Sequence, residues 1–207
     1  MSTYLGYDVL DLVEHNRRES FEERVRWRFT LLDTATGKRT ADAHDRASSP
    51  VRPFLWTAFS RTEAKAIRDF LDARRGRAVP FWLPSYQKDL TLAVDGVATG
   101  IILTVDHVRY AQLLFGDVGA RRHVALHLPG GAFAFHKVTA ATDPGNGLTE
   151  TLTVSPALAV AYPKATTLVC FLKFCRLDED EVELTWLSRD HADAVIHCRE
   201  LPNEAPT

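Results

Sequence analysis

The sequence predicts a mainly β protein of the α+β type: an antiparallel β-sandwich with one packed amphipathic helix and an inserted small antiparallel β-barrel. Three observations carry this. Short runs alternate apolar and polar residues with period two. Clusters rich in Gly, Pro, Asn and Asp separate those runs at near-regular spacing. One stretch, Ser60–Gly76, has helical periodicity and both of its ends are marked. The order of the elements predicts a discontinuous organisation. Residues 1–93 together with 166–207 form the sandwich-and-helix domain, and residues 94–165 form the inserted barrel.

Taken in order, residues 4–14 mix apolar and acidic positions and read as a short strand. Phe21–Leu32 reads as one half-buried strand: Val25, Trp27, Phe29 and Leu31 alternate with Arg24, Arg26, Arg28 and Thr30. One face is therefore apolar and the other strongly basic. Asp33–Thr40 reads as a turn, and Ala41–Pro53, polar and proline-bearing, as a long loop. In the helix, Ser60 is the expected N-cap, with Glu63 three residues on. Ala64, Ile67, Phe70 and Leu71 supply the apolar stripe. Arg74 and Arg75 suit the carbonyl end of the helix, and Gly76 ends it. Phe81-Trp82-Leu83, framed by Pro80 and Pro84, starts a strand.

From Val94 onward, short alternating strands take over. His123–Leu128 and Ala132–Thr139 flank Pro129-Gly130-Gly131 as a hairpin, with His123 opposite Lys137 and Leu128 opposite Ala132. Asp143–Gly147 is a second dense turn. Leu148, Glu150, Leu152 and Val154 then alternate with Thr149, Thr151 and Thr153 along one strand. Thr166–Arg176 is nearly all apolar, a strand buried on both sides. Val182, Leu184 and Trp186 alternate with Glu181, Glu183 and Thr185, giving an acidic strand face. His191–Leu201 supplies the last strand.

Composition excludes several classes. The formal net charge is −2, so the chain as a whole offers no strong pull on nucleic acid or an anionic membrane. No apolar run approaches the ~20 residues that span a bilayer. The N-terminus lacks the basic-then-apolar pattern of a signal peptide, so none is expected. Three cysteines among 207 residues fit a reducing compartment. G-x-S-x-G, H-E-x-x-H, the P-loop and G-x-G-x-x-G are all missing. Hence no catalytic residue, cofactor or metal is expected. Cys170 and Cys175 lie five apart, on opposite faces of a strand, and with Cys198 make three sulfur ligands where an iron–sulfur cluster needs four. Buried small hydrophobes are the first reading of Cys170, Cys175 and Cys198; ligands to an iron–sulfur cluster shared between chains or completed by His are the alternative. His123 and His127 share a hairpin face with Phe133 and Phe135 but do not close a tetrahedral metal site.

Two stretches resemble the tail-tip and baseplate proteins of bacteriophages with long, flexible tails, in particular the distal or minor tail proteins of lambda-like phages and gene transfer agents. The stretches are Leu55–Arg77, LWTAFSRTEAKAIRDFLDARRGR, with Val79–Ala93, VPFWLPSYQKDLTLA, and the closing strands of Phe174–Pro202. The resemblance implies a structural component of the virion tail, assembled in the host bacterial cytoplasm. It implies a homo-oligomeric ring, a hexamer as in distal tail proteins or a trimer as in hub proteins. Such a ring joins the tail tube protein to the hub and central fibre proteins, with neither nucleic acid nor membrane as a required partner. Some hub-type relatives carry an iron–sulfur cluster on C-terminal cysteines.

A ring gives the charged faces a use. Arg24, Arg26 and Arg28 on one subunit and Glu181 and Glu183 on the next are expected to meet head-to-tail, as ring closure requires. Plain solvent-exposed faces are the alternative. The Ala41–Pro53 loop is expected to serve as an interlocking arm. A second class of function, a carbohydrate- or host-surface-binding module, would use Tyr110, Phe115, Phe133 and Phe135 of the barrel as a groove.

Overall fold

The computed structural model describes residues 2–11, 24–26, 29–33, 39–43, 49–116 and 119–206. It is mainly β and antiparallel. In chain order the elements are β1 (Thr3–Tyr4), β2 (Tyr7–Asp8), β3 (Arg24–Arg26), β4 (Phe29–Asp33), β5 (Arg39–Ala43), β6 (Ser49–Ala58) and α1 (Arg61–Arg74). Next come β7 (Phe81–Pro84), β8 (Ile102–Asp106), α2 (Tyr110–Leu113), a 3-10 turn, β9 (His123–His127), β10 (Phe133–Thr142) and β11 (Thr149–Ser155). β12 (Leu168–Leu177), β13 (Leu184–Trp186) and β14 (Ala192–Glu200) complete the chain.

Two compact units result. The first gathers Met1–Asp11, Phe81–Phe174 and Ala205–Thr207; the second gathers Leu12–Pro80 and Cys175–Glu204. These boundaries differ from those expected, 1–93 with 166–207 and 94–165. The reason lies in the flanks of the middle segment. Leu90 bridges Val169 and Leu92 bridges Val105, so both flanks join the core of the first unit.

In the first unit the ladder runs β12–β9–β10–β11–β8. Leu103, Val105, Val124, Leu126, Val138, Leu152, Val154 and Val169 point into one shared core. The β9–β10 register is the expected one: Lys137 faces His123 and Phe133 faces His127, with Leu128 N donating to Ala132 O at 2.8 Å. Alternating side chains and a Pro-Gly-Gly turn leave little freedom for slippage. β1 and β2 form a tight hairpin in which both central residues, Leu5 and Gly6, have positive φ. That is the turn whose twist suits two antiparallel strands. It stands where a single short strand is expected over residues 4–14.

In the second unit β14 pairs with β6 along its whole length, from Ala192↔Ala58 to Arg199↔Val51. Its other side takes β13 at one end and the last residues of β12 at the other. Phe54, Trp56 and Ala58 form the buried face of β6, and α1 lies against that strand. Ser60 Oγ accepts from Glu63 N at 3.2 Å, as a cap should. The Glu63 carboxylate accepts from Phe59 N at 2.7 Å, one residue before the capping-box position. The buried stripe is Ala64, Ile67, Phe70 and Arg74, with Arg74 in the place expected of Leu71. Its guanidinium lies 4.8 Å from the Phe70 ring and Nη1 donates to Pro80 O at 3.3 Å. A long cationic stem thus completes an apolar face. The helix stops at Arg75 in left-handed conformation, and Gly76 comes next with φ +62°. A Cβ at Gly76 would stand 2.5 Å from Asp180 Oδ1 and displace that carboxylate, and the positive φ strains any other residue there.

Four expectations in this unit are corrected. The single strand over Phe21–Leu32 is two strands in different sheets: β3 pairs with β6, and β4 pairs with β5. Val25, expected on a buried face, is 59% exposed. The expected loop over Ala41–Pro53 is mostly strand, since β5 reaches Ala43 and β6 begins at Ser49. Prolines there do not break β6. Pro50 pairs with Val25 of β3 beyond the end of the β14 ladder, and Pro53 pairs with His197 of β14 beyond the end of the β3 ladder. Among the described residues each has one flank without a ladder, a position that suits a residue lacking an N–H. The acidic strand begins only at Leu184, so Glu181 and Glu183 precede it.

Candidate functional site

The charged residues expected at a subunit interface are only partly brought to one place. Arg24 is exposed on β3 and Arg26 ends that strand; Arg28 lies outside the described residues. Arg24 lines a hollow of about 290 Å3 together with Val25, Asp178, Glu179 and His197. Arg24 therefore faces acids of its own chain. Those acids are engaged in turn. Asp178 pairs with Arg199, and Glu179 lies 3.6 Å from His197. Asp180 takes Arg77 Nη2 at 2.8 Å and Nε at 3.1 Å, and these bonds hold its carboxyl below the usual carboxylate range. Glu181 and Glu183 are exposed and form no ion pair among the described residues.

A second hollow, of about 490 Å3, lies between α1 and the β13–β14 turn. Arg61, Lys65, Arg68 and Arg189 surround Trp186 there. Trp186 is 47% exposed, and Leu187, next in the chain, is more so. Arg61 Nε reaches Asp190 at 3.2 Å and Lys65 pairs with Asp69. Arg68 and Arg189 have no ion-pair partner among the described residues. Sequence reading missed this site because its cations come from a helix and a turn more than a hundred residues apart, and each looked like ordinary solvated charge.

None of the three cysteines is in a disulfide, and all three are buried. Cys170 Sγ donates to Ala125 O at 3.5 Å, and burial pushes its thiol up to about 12. Burial also raises the Cys198 thiol. Both environments favour the thiol over the thiolate. Cys170 belongs to the first unit, Cys175 and Cys198 to the second.

The β9–β10 hairpin face is aromatic, not hydrophilic. His127 stacks on Phe133 with centroids 4.5 Å apart, and Phe133 stacks on Phe135. Tyr4 Oη and His123 Nδ1 are 3.0 Å apart, with Trp82 against the imidazole at 4.7 Å. Tyr110 is fully buried, so it does not line the groove considered for a sugar. His136 turns to the opposite face, its Nδ1 at 2.8 Å from Pro156 O. Burial, aided by Lys137 and Arg122, lowers His123 to about 4, and burial lowers His136 too. The unfolded chain therefore binds more protons than the folded one between pH 4 and 6.5. The stability from neutral His123 is complete above pH 6.5 and lost as pH falls toward 4. We expect His123 to contribute a loss of roughly 2–3 kcal/mol across that window, so that the fall measured by denaturant unfolding at several pH values is smaller in His123→Phe, where His136 still titrates.

One group in the first unit escaped the sequence: His107, Asp143 and Glu150, whose ligand atoms lie within 4.8 Å of one another. The turn at Asp143–Gly147 and the β8–β11 register bring them together. His107 Nε2 is 3.2 Å from Asp143 Oδ2, and Gly145 N donates to Asp143 Oδ1 at 2.8 Å. These bonds, Gly145 first, lower the Asp143 carboxyl below its ordinary value. Glu150, fully buried, accepts from Val108 N, Tyr110 N and Ala111 N at 3.2, 2.9 and 3.2 Å. One imidazole and two carboxylates are a possible cation ligand set. Here they act as a clasp, with the carboxylates occupied by backbone donors.

No protein-family model and no curated protein matches the chain.

Proposed function

We propose that this protein is a structural component of a bacteriophage tail tip or baseplate. Copies would join as a ring, six-fold by preference, linking the tail tube to the hub and receptor-binding parts. The observation that carries the reading is the surface of the second unit. Its outermost strands, β3 and β13, each pair on one side only among the described residues. Large apolar side chains stand exposed beside them: Val25 at 59%, Trp186 at 47% and Leu187 at 63%. Unpaired strand edges next to apolar patches favour association with another chain. The resemblance of Leu55–Ala93 and Phe174–Pro202 to tail-tip proteins supports the same reading.

In this reading the second unit is the ring-forming sandwich with its helix. The strands of residues 94–165 belong to a barrel-like sheet that is not a closed barrel. Single bridges from Leu90 to Val169 and from Leu92 to Val105 flank its open side. The chain is then a building block with no reacting group. Light scattering and negative-stain electron microscopy of the purified chain test this. Closed rings at micromolar concentration are expected, and a persistent monomer ends the proposal.

A further inference from the structure

If the chain forms rings, as proposed above, the contact that closes them must join two different patches of the same surface. We infer that the basic, tryptophan-bearing hollow on α1 receives the Glu181-Val182-Glu183 segment of a second copy.

Selection among the charges leads to this pairing. Asp178, Glu179 and Asp180 are engaged by Arg199, His197 and Arg77 of their own chain. Glu181 and Glu183 are the exposed acids of that stretch left without an ion pair among the described residues. They stand two apart, about 7 Å along an extended segment, with Val182 between them. On the basic side, Arg24 already faces Asp178 and Glu179 across its own hollow. Arg68 and Arg189 line the other hollow without an ion-pair partner among the described residues, around a half-exposed Trp186. Trp and Arg around a concave patch are the residues that carry most binding energy at protein interfaces. Two carboxylates flanking a valine match two guanidinium groups flanking an indole in charge and polarity. The hollow and the segment adjoin on one chain, where Arg68 and Val182 line a shared hollow; repeated head-to-tail, as the ring requires, the contact propagates from copy to copy until the ring closes, and a reciprocal two-fold dimer overturns it.

The test is a charge-swap in trans, read by light scattering and electron microscopy. The chain carrying Arg68→Glu and Arg189→Glu, and separately the chain carrying Glu181→Arg and Glu183→Arg, should each self-associate roughly 100-fold more weakly than the natural chain. Mixed one to one, the two should reassemble. In the mixture every reversed hollow meets a reversed segment and every natural hollow a natural one, giving even-numbered, alternating rings. Arg68→Gln with Arg189→Gln keeps the side-chain bulk and should weaken assembly about tenfold without like-charge repulsion. Circular dichroism checks that each variant is folded. Rings that persist in the reversed variants, or folded variants that fail to complement in the mixture, overturn this contact and leave the ring itself standing. A natural chain that is monomeric removes the ring and this contact together.

Discussion

Trp82→Ala is expected to cost roughly 3–5 kcal/mol of stability, the range for emptying a buried aromatic site. Trp82 is fully buried in the first unit. Tyr4 meets it edge-on at 5.3 Å, Phe174 lies at 4.9 Å and His123 at 4.7 Å. Its backbone carbonyl accepts from Leu10 N at 2.8 Å, and Val9 pairs with it in parallel. Losing the indole therefore removes the surface against which the N-terminal segment packs, and β1 and β2 should loosen with it. Trp82→Phe separates two contributions. The indole Nε1 is buried with no acceptor among the described residues, and an unpaired buried donor is itself a cost. Phenylalanine gives up volume but removes that donor, so its net cost should stay below about 1.5 kcal/mol. Denaturant unfolding of both variants checks this. Equal losses in Trp82→Phe and Trp82→Ala would mean that the N–H has a partner after all.

The same residues show how much the sequence could convey. The strand that carries Trp82 was legible because prolines on both sides frame a short aromatic run. α1 was legible at both ends, since Ser60, Glu63 and Gly76 act locally, through bonds and backbone angles that neighbours in the chain decide. The β9–β10 register was legible for the same reason. The readings that failed depend on partners far along the chain. Phe21–Leu32 alternates as one strand should, but β6 claims Arg24–Arg26 and β5 claims the part from Phe29 onward. Pro50 and Pro53 suggested a loop because proline rarely sits in a strand; they are tolerated because each falls just past the end of one neighbour's ladder. Arg74 looked like a solvated helix-end cation and is buried at 3% exposure over Phe70. The hollow around Trp186 was illegible because no local pattern brings Arg68 to Arg189.

Glu150 is the sharpest case, and it carries the second large prediction. Its sequence neighbours place it correctly: Glu150, Leu152 and Val154 share the inward face of β11. Nothing local explains a carboxylate in that column. The explanation is the turn that starts about forty residues earlier, where Val108, Tyr110 and Ala111 aim three backbone N–H groups at it. Glu150→Ala leaves those donors without an acceptor beside a core that includes Tyr110, so we expect a loss of roughly 3–5 kcal/mol. Tyr110 should suffer most, because its hydroxyl donates to Arg121 O at 2.8 Å and its ring stacks on Phe171. Glu150→Gln retains one acceptor oxygen and points its amide hydrogens at the remaining donors; about half the loss should remain. Native-state hydrogen exchange gives the local reading. The amides of Val108, Tyr110 and Ala111 should exchange much faster in Glu150→Ala, while those of β12 change only with global stability. A turn that keeps its protection without the carboxylate would show that α2 is held by the packing of Tyr110 alone, and that the buried acid has some other use.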